Sequence, residues 1–485
     1  MFLEESQRDA IGLTFVLNEL TADSPFGDMR IRQAGVYERA GKQELLDEFH
    51  NISQALELVD KDEENLNSIR RTLMRFKNIA NVMKKMDRSY LHEIEFFELK
   101  SFLLNLMKLI ETFSATGAEA KFIDVRFTDM EDALDILDPE KKRLIPFYLS
   151  ERYTKELWET RSEKTRIEGL IRAETDKAAL EELKILRTTV VAKEEEAETA
   201  VKKDLTEKLR PYLPVFEKNI NAIGKLDFTI QKALLAKKYG AVRPEIVDGE
   251  TELTDMINPA IDAILKQQGK TFVPVSITLR PGTTLLTGAN MGGKSVAVKT
   301  SVLNVCLCHM GFFAFAKRAR IPMFDGVYLI SEDLQSVNRG LSTFGAEIVY
   351  LNGIVKKAKN AFLFIALDEL ARGTNPEEGA IIVRAVARYL NTLGSVSILT
   401  THYDNVAGEE FNQYQVAGLA NLDFAKLSER IAKAAENSVD LISDHMDYRL
   451  LKVGGRSEPP RDALNICRLL ALDRDILDMI EEKYN

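Results

Sequence analysis

The stretch Thr284-Leu285-Leu286-Thr287-Gly288-Ala289-Asn290-Met291-Gly292-Gly293-Lys294-Ser295 decides how this chain is read. Its first four residues read as a short buried strand, the glycines break it, and a helical pattern follows Ser295. A glycine-rich loop between strand and helix lets several backbone N–H groups turn inward on phosphate oxygens. The helix N-terminus adds its favourable dipole. Lys294 is spaced to reach the β- and γ-phosphates of a nucleotide, and the Ser295 hydroxyl to ligate Mg²⁺. A glycine-rich turn without nucleotide is the plain alternative, and the strand–loop–helix setting argues against it.

Three further segments lie downstream. Phe362-Leu363-Phe364-Ile365-Ala366-Leu367-Asp368-Glu369 is an apolar strand delivering two acids at its C-terminal end, where open parallel sheets bind ligands. Asp368 would hold Mg²⁺ through water, and Glu369 would orient and polarise an attacking water. Paired acids after a strand also serve as a helix N-cap, but the phosphate loop upstream favours the catalytic reading. Leu399-Thr400-Thr401-His402-Tyr403 closes another strand. A lone histidine is ordinarily structural; after the third strand of a nucleotide-binding sheet, His402 becomes a candidate γ-phosphate contact. Within Gln335–Glu347, Leu341-Ser342-Thr343-Phe344-Gly345-Ala346-Glu347 opens a helix with hydroxyl and N–H donors suited to an anion. Nothing local ties that segment to nucleotide.

Working outward, Thr284–Thr287, Leu363–Leu367 and Val396–Thr400 are each followed by a turn and a helix. From about Thr271 onward this alternation predicts a mostly parallel sheet covered by helices. The first 110 residues read as helices, with a capped loop at Leu20–Gly27 and a helical pattern around Met29–Val36. Ile69–Arg88 carries Arg70, Arg71, Arg75, Lys77, Lys84, Lys85 and Arg88 against Asp87 alone. Such a stretch reads as a solvated helix face or as a face that contacts phosphate. Glu151–Arg210 is about half charged, has no proline and has Gly169 as its only glycine. Long helical hairpins or coiled-coil arms have this composition. Its two signs nearly cancel, whereas an arm gripping duplex DNA should be distinctly basic. Tyr212–Lys238 reads as another helix and Val242-Arg243-Pro244 as an extended start. Asp462–Lys483 reads as two short helices suited to a partner subunit.

At 485 residues the chain has room for about three domains. Sixty-five Lys and Arg against 75 Asp and Glu give a formal charge of −10, and the 45% apolar share excludes a disordered or collagen-like chain. No apolar run reaches the ~18 residues of a membrane span. The acidic opening Met1-Phe2-Leu3-Glu4-Glu5 does not read as a secretory signal. Three cysteines are too few for a disulfide framework. Cys306-Leu307-Cys308-His309 reads as buried core thiols, because residues two apart on a helix point away from each other. The expectation is a soluble, cytoplasmic, reduced protein with no membrane partner.

The four motifs, in this order, resemble the MutS family of ABC-type ATPases. The resemblance is most specific over Phe272–Tyr403, where Gly288–Ser295 and Leu341–Glu347 differ from the signatures of generic transporter ATPases. It extends more loosely to Asp23-Ser24-Pro25-Phe26-Gly27, like the opening of the helical core domain. Leu226-Asp227 through Val242-Arg243-Pro244 is similar to the end of the lever helices. The resemblance implies a multi-domain chain. A helical core domain would occupy residues 1–110, and lever helices with a coiled-coil clamp-like arm residues 111–245. An α/β P-loop NTPase domain of the ABC type would occupy residues 246–485, ending in a helical dimerisation segment. It implies ATP and Mg²⁺ as cofactors, with ATP sandwiched in a homodimer or in a heterodimer with a MutS-like subunit. Phe272 would stack on adenine. Gly288, Asn290, Gly292, Gly293, Lys294 and Ser295 would cradle the phosphates, with Asn290 near the γ-phosphate. Ser295 and Asp368 would hold Mg²⁺. Ser342 would act in trans, on the γ-phosphate bound by the partner's Lys294. Glu369, His402 and Lys294 would carry the chemistry.

Several departures bear on function. The chain begins within the core-like region, without the family's mismatch-reading and connector domains. Phe96-Phe97-Glu98 imitates the lesion-reading spelling but sits in a helical stretch. Leu370-Ala371-Arg372-Gly373-Thr374-Asn375-Pro376-Glu377-Glu378-Gly379 and Gly293-Lys294-Ser295-Val296 are closer to the family's second branch than to mismatch-repair MutS. That branch carries a C-terminal nuclease domain, and this sequence stops at Asn485 without one. Ala371 stands where a glycine is common, which is expected to alter the cross-subunit loop. In size the chain matches a third branch, the MutS-related subunits of reactivating factors for B12-dependent lysine or ornithine aminomutases. The tail Met446-Asp447-Tyr448-Arg449-Leu450 and Pro459–Leu464 is similar to that group. No cobalamin-ligand spelling surrounds any of the five histidines, so B12 is not expected on this chain. The main expectation is therefore an ATPase that remodels a client protein such as an aminomutase. The alternative is a DNA-binding ATPase of mismatch-repair or recombination type acting on duplex or branched DNA.

Overall fold

The computed structural model describes residues 2–288, 293–331, 343–403, 406–418, 447–454, 464, 467–468 and 472–484. The chain opens with α1 (Glu5–Ala10), α2 (Leu13–Asn18), α3 (Pro25–Arg32), α4 (Lys42–Lys61) and α5 (Glu63–Leu73). Then come α6 (Ala80–Arg88), α7 (Glu93–Ala115), α8 (Glu131–Leu137), α9 (Lys155–Ala173), α10 (Lys177–Leu209) and α11 (Leu213–Tyr239). Strands begin with β1 (Glu245–Val247) and β2 (Thr251–Met256), followed by α12 (Pro259–Gln267), β3 (Val275–Leu279) and β4 (Gly282–Thr287). Next are α13 (Lys294–His309), β5 (Arg318–Pro322), β6 (Gly326–Ile330), α14 (Thr343–Ala358) and β7 (Leu363–Leu367). The described chain ends with α15 (Pro376–Asn391), β8 (Val396–Thr400), β9 (Asn412–Gly418), β10 (Asp447–Val453) and α16 (Arg474–Tyr484).

Contacts divide the chain into two units. Residues 1–20, 34–53 and 232–485 form a sheet unit, and residues 21–33 and 54–231 a helical unit. The sheet unit holds a six-stranded sheet in the order β10-β9-β4-β8-β7-β6, parallel except for β10. All five residues of β7 and of β8 are buried, as befits strands covered on both faces. A second, mixed sheet runs β1-β5-β2-β3. Start signals are local: Asn258 caps α12 and Asn375 caps α15, each with proline at the first helical turn. His309 is a satisfied core histidine. Its Nδ1–H donates to Tyr37 O (3.2 Å) and its Nε2 accepts from the Phe324 N–H (3.3 Å). Burial pushes the neighbouring Cys306 thiol up to about 12.

In the helical unit, the Phe76 ring meets Phe102 at 5.3 Å and Phe26 at 6.1 Å, and Phe102 meets Phe216 at 5.6 Å. The buried Asp227 carboxylate accepts from the backbone N–H groups of Asp23 and Ser24 and from the Ser24 hydroxyl, fixing the start of α3. The basic stretch Ile69–Arg88 is two helices rather than one. The N–H groups of Arg75 and Phe76 turn back onto Thr72 and Leu73 to end α5, and Asn78 Oδ1 accepts from the Ala80 N–H as α6 begins. No helix among the described residues is long and apolar enough to cross a membrane.

Candidate nucleotide site

The carboxyl ends of three parallel strands make the site. β8 lies between β4 and β7, with Leu286 beside Thr400 and Leu367 beside Leu399. Whatever follows these strands therefore emerges along one edge of the sheet, the usual ligand edge of open α/β folds. Gly288 follows β4, Asp368 and Glu369 follow β7, and Thr401 and His402 follow β8.

Gly293 starts α13 at φ +81, a left-handed conformation that glycine adopts without penalty. A Cβ there would lie 3.0 Å from the Tyr448 ring of β10. Lys294 is 3% exposed; its Nζ donates to Gly288 O at 2.8 Å and lies 3.8 Å from Glu369 Oε1. Burial lowers the Lys294 pKa, and the charges of Glu369 and Asp368 oppose that shift. Asn290 and Gly292 of the phosphate loop, and Ser342, lie outside the described residues.

One residue further, the Ser295 hydroxyl donates to Asp368 Oδ1 at 3.1 Å. The same oxygen accepts from Thr400 Oγ1 at 2.7 Å, and Thr400 Oγ1 in turn accepts from the Glu369 N–H at 2.8 Å. Asp368 itself is 6% exposed. A hydroxyl and a carboxylate oxygen from two different elements thus converge beside a buried lysine. Hard oxygen donors of this kind suit Mg²⁺, which binds through few protein ligands and keeps its waters for substrate phosphates. The residues present fit that ion.

The turn after Asp368 is strained. Glu369 has φ +53 and Ala371 φ +64, and neither is glycine. Three side-chain hydrogen bonds hold it, Thr400 on the Glu369 N–H, Glu347 Oε2 on the Ala371 N–H (3.2 Å) and the Tyr403 hydroxyl donating to Ala371 O (2.7 Å), and the Thr374 N–H donates to the same carbonyl at 3.2 Å. Burial raises the Glu347 pKa, and the bond from Ala371 opposes it. Gly379 of α15 leaves room for Tyr403; a Cβ there would lie 2.5 Å from the hydroxyl. Glu369 Oε2 points towards Arg372 at 3.4 Å. The His402 ring tilts against Tyr403, 4.3 Å between centroids. Partial desolvation holds its pKa below the ordinary histidine value, against the pull of Glu369, while Lys294 and Arg372 push the same way as desolvation.

Lys294, Ser295, Asp368, Glu369 and His402 are thus brought together. Phe272 is half-buried in the segment before β3, and no hydrogen bond or ring contact joins it to this group among the described residues. Sequence reasoning quoted Thr400 and Tyr403 without giving either a role; a hydroxyl at a strand end beside the acids was the available signal. Glu347 and Arg372 likewise had none. Tyr448 reaches Gly293 from a strand 155 residues downstream, which no local pattern announces.

Comparison with known proteins agrees with this geometry. Residues 284–440 match the family model described as MutS domain V. The chain is 31% identical over 303 residues to endonuclease MutS2 of Caldicellulosiruptor bescii, covering 61% of this chain and 35% of that protein. It is 33% identical over 222 residues to the DNA mismatch repair protein MutS of Fusobacterium nucleatum, covering 44% and 24%. It is 29% identical over 279 residues to the DNA mismatch repair protein Msh3 of Dictyostelium discoideum, covering 56% and 19%. The matched stretches span about a third or less of each relative's length. The motifs, the site and these matches converge on one stretch: residues 284–440 match domain V, the ATPase domain, of MutS-family proteins.

Proposed function

We propose that this chain binds and hydrolyses ATP with Mg²⁺ and uses the cycle to act on duplex or branched DNA. The observation that carries the ATPase part is the convergence of Ser295, Thr400 and Asp368 on one carboxylate oxygen beside buried Lys294, with Glu369 next in sequence. The DNA part is supported by the relatives' names, an endonuclease and two DNA mismatch repair proteins. A protein client of the aminomutase kind draws no support from these relatives, and the DNA reading replaces it as the main one.

In this reading Lys294 neutralises the β- and γ-phosphates, and Ser295 and Asp368 hold the ion, which when bound neutralises charge on the phosphate oxygens. Glu369 accepts a proton from the attacking water and aligns it. Neutral His402 contacts the γ-phosphate, Phe272 the adenine, and Asn290 and Gly292 complete the loop. Ser342 completes the site across a dimer, either with a second copy or with a MutS-like subunit. ATP drives closure of that dimer only if it binds the closed form more tightly. Residues 1–110, 111–245 and 246–485 are read as core, lever-and-arm and ATPase parts of a cytoplasmic machine.

The test is ATP turnover of the purified chain, alone and with duplex, branched and single-stranded DNA. DNA-stimulated turnover in the wild type, lost in Glu369→Gln, supports the reading. Turnover indifferent to every DNA, with no DNA binding at low salt, returns the client to a protein.

A further inference from the structure

Charge is handled in two ways within the helical unit. Along α9 and α10 most cations are answered by acids: Arg161 reaches Glu194 at 3.2 Å and Glu198 at 2.8 Å, and Arg187 reaches Glu168 at 2.7 Å. Lys155, Arg166 and Lys184 pair with acids on their own helices. In the α5–α6 region two cations are engaged in the same way, Arg70 with Asp23 and Lys85 with Glu95. Five others are not. Arg71, Arg75, Lys77, Lys84 and Arg88 are all exposed, and none has an ion-pair partner among the described residues. Asp87 is the only acid of the stretch, and the acids of α5 sit in its first turn, at the far end from Arg71.

The backbone presenting these cations is pinned. Phe76 is 4% exposed and packed on Phe26 and Phe102, Ile79 is fully buried, and Asn105 Nδ2 donates to Arg75 O. Arg75 and Lys77 flank the Phe76 anchor and stand in water. Exposed Asn78 and Asn81 lie between them and Lys84. Lys84 and Arg88 are four apart on α6, a like-charge spacing that weakens a helix slightly when nothing neutralises it. In a chain of net charge −10, five unanswered exposed cations within 18 residues of pinned backbone form a local positive field. The face offers little to a folded protein partner, whose interface core needs apolar anchors. Met74, 57% exposed, is the one large apolar side chain exposed between Ile69 and Arg88. Arginines, lysines and amides without carboxylates are instead the donors that meet phosphate oxygens.

We propose that the α5–α6 face binds the phosphate backbone of duplex DNA through Arg71, Arg75, Lys77, Lys84 and Arg88. The proposal rests on the DNA reading above and assigns it a surface. Neutralising five phosphates releases counterions, so log affinity should fall against log salt with a slope of about −4.5.

The experiment measures binding of a labelled duplex to the full chain across a salt series. The wild type is compared with Arg75→Ala/Lys77→Ala/Lys84→Ala and with the charge-matched arm variant Lys155→Ala/Arg166→Ala/Lys184→Ala. Thermal unfolding confirms that each variant is folded. The expected result is a slope shallower by about 3 for the α5–α6 variant and unchanged for the arm variant. Equal slopes for wild type and α5–α6 variant, in a wild type that does bind duplex, overturn the surface while leaving the DNA reading standing. No duplex binding by the wild type at low salt overturns both. Binding of polyglutamate, lost in the α5–α6 variant while duplex binding persists, also overturns the proposal and makes an acidic polypeptide the partner.

Discussion

Tyr403→Phe removes a single oxygen atom and asks whether the turn carrying Glu369 is actively held. Two non-glycine residues in that turn are left-handed, Glu369 at φ +53 and Ala371 at φ +64. Each costs about 1–2 kcal/mol relative to ordinary backbone, so the turn carries about 2–4 kcal/mol of strain. Opposing it are the hydrogen bonds from Thr400, Glu347 and Tyr403. The Tyr403 bond is short and buried, 2.7 Å with the tyrosine 8% exposed. Deleting the hydroxyl leaves Ala371 O with the Thr374 N–H as its remaining partner at 3.2 Å, a loss of about 0.5–1.5 kcal/mol. That is a sizeable share of the strain, so the turn should loosen while the ring stays packed. If about 0.7 kcal/mol of the loss appears as misplacement of Glu369, turnover falls about threefold. The KM for ATP should hardly move, because Lys294 and Ser295 are untouched. Steady-state ATP hydrolysis and urea unfolding, run together, read both quantities. Gly379→Ala perturbs the same contact from the other side, since its Cβ would lie 2.5 Å from the hydroxyl and 2.6 Å from Cζ. It should lower turnover too, despite the ~1 kcal/mol that alanine contributes to helix propensity. A Tyr403→Phe protein with wild-type turnover and unchanged stability would refute the argument. Lost stability with normal turnover would leave the hydroxyl a packing role only.

Other outcomes follow from single groups. Glu369→Gln should bind ATP normally in equilibrium titrations yet hydrolyse it about 10²–10⁴-fold more slowly; a loss of binding instead would make Glu369 part of the phosphate cradle. Ala371→Gly should leave the unfolding free energy within about 1 kcal/mol of wild type by urea titration, on the balance of terms worked below. His309 should make the sheet unit acid-sensitive. Its folded pKa is lowered by burial, so its contribution is intact above the ordinary value of 6.5 and is lost as pH falls through the depressed folded value. The slope is at most about 1.4 kcal/mol per pH unit. A stability–pH profile unchanged by His309→Gln over that window would show that the imidazole takes up protons equally in both states, so that burial does not depress its folded pKa.

How much of this was legible depends on whether the signal was local. Leu363–Leu367 and Val396–Thr400 were readable as strands, and their bounds are met residue for residue, because a strand buried on both faces must be a continuous apolar run. The phosphate loop and the paired acids were readable because spacing alone carries their chemistry. The second sheet was not. Its strands are short and carry Glu245, Glu252, Arg318 and Arg320 at their paired positions, where Arg320 meets both Glu245 and Glu252. Cross-strand charge pairs hide the apolar alternation that marks a strand. Nor could a local reading bring Gln7 of α1 to Leu329 O, 322 residues away at 2.7 Å, or join residues 34–53 to the sheet unit. The division of Ile69–Arg88 into two helices was also hidden, since neither glycine nor proline marks the break. A buried Phe76 and the side chain of Asn78 make it instead.

Ala371 shows why a departure from family spelling has to be weighed and not only noticed. Its φ of +64 is a conformation glycine adopts freely, and glycine there would remove about 1–2 kcal/mol of strain. Glycine would also lose about 0.5–1 kcal/mol more backbone entropy on folding. The methyl group is itself fully buried, in one cluster with Leu367, Leu370, Val383, Leu399 and Tyr403. Deleting it forfeits about 0.8 kcal/mol of apolar burial. The three terms cancel within their spread, so stability gives little reason to prefer either residue. What differs is freedom. Alanine at this angle holds the turn while Glu347 grips its N–H and Tyr403 and the Thr374 N–H its carbonyl, whereas glycine would let the same backbone reach other conformations at little cost. The consequence of Ala371 therefore falls on how rigidly Glu369 is aimed, and it should appear in turnover rather than in unfolding.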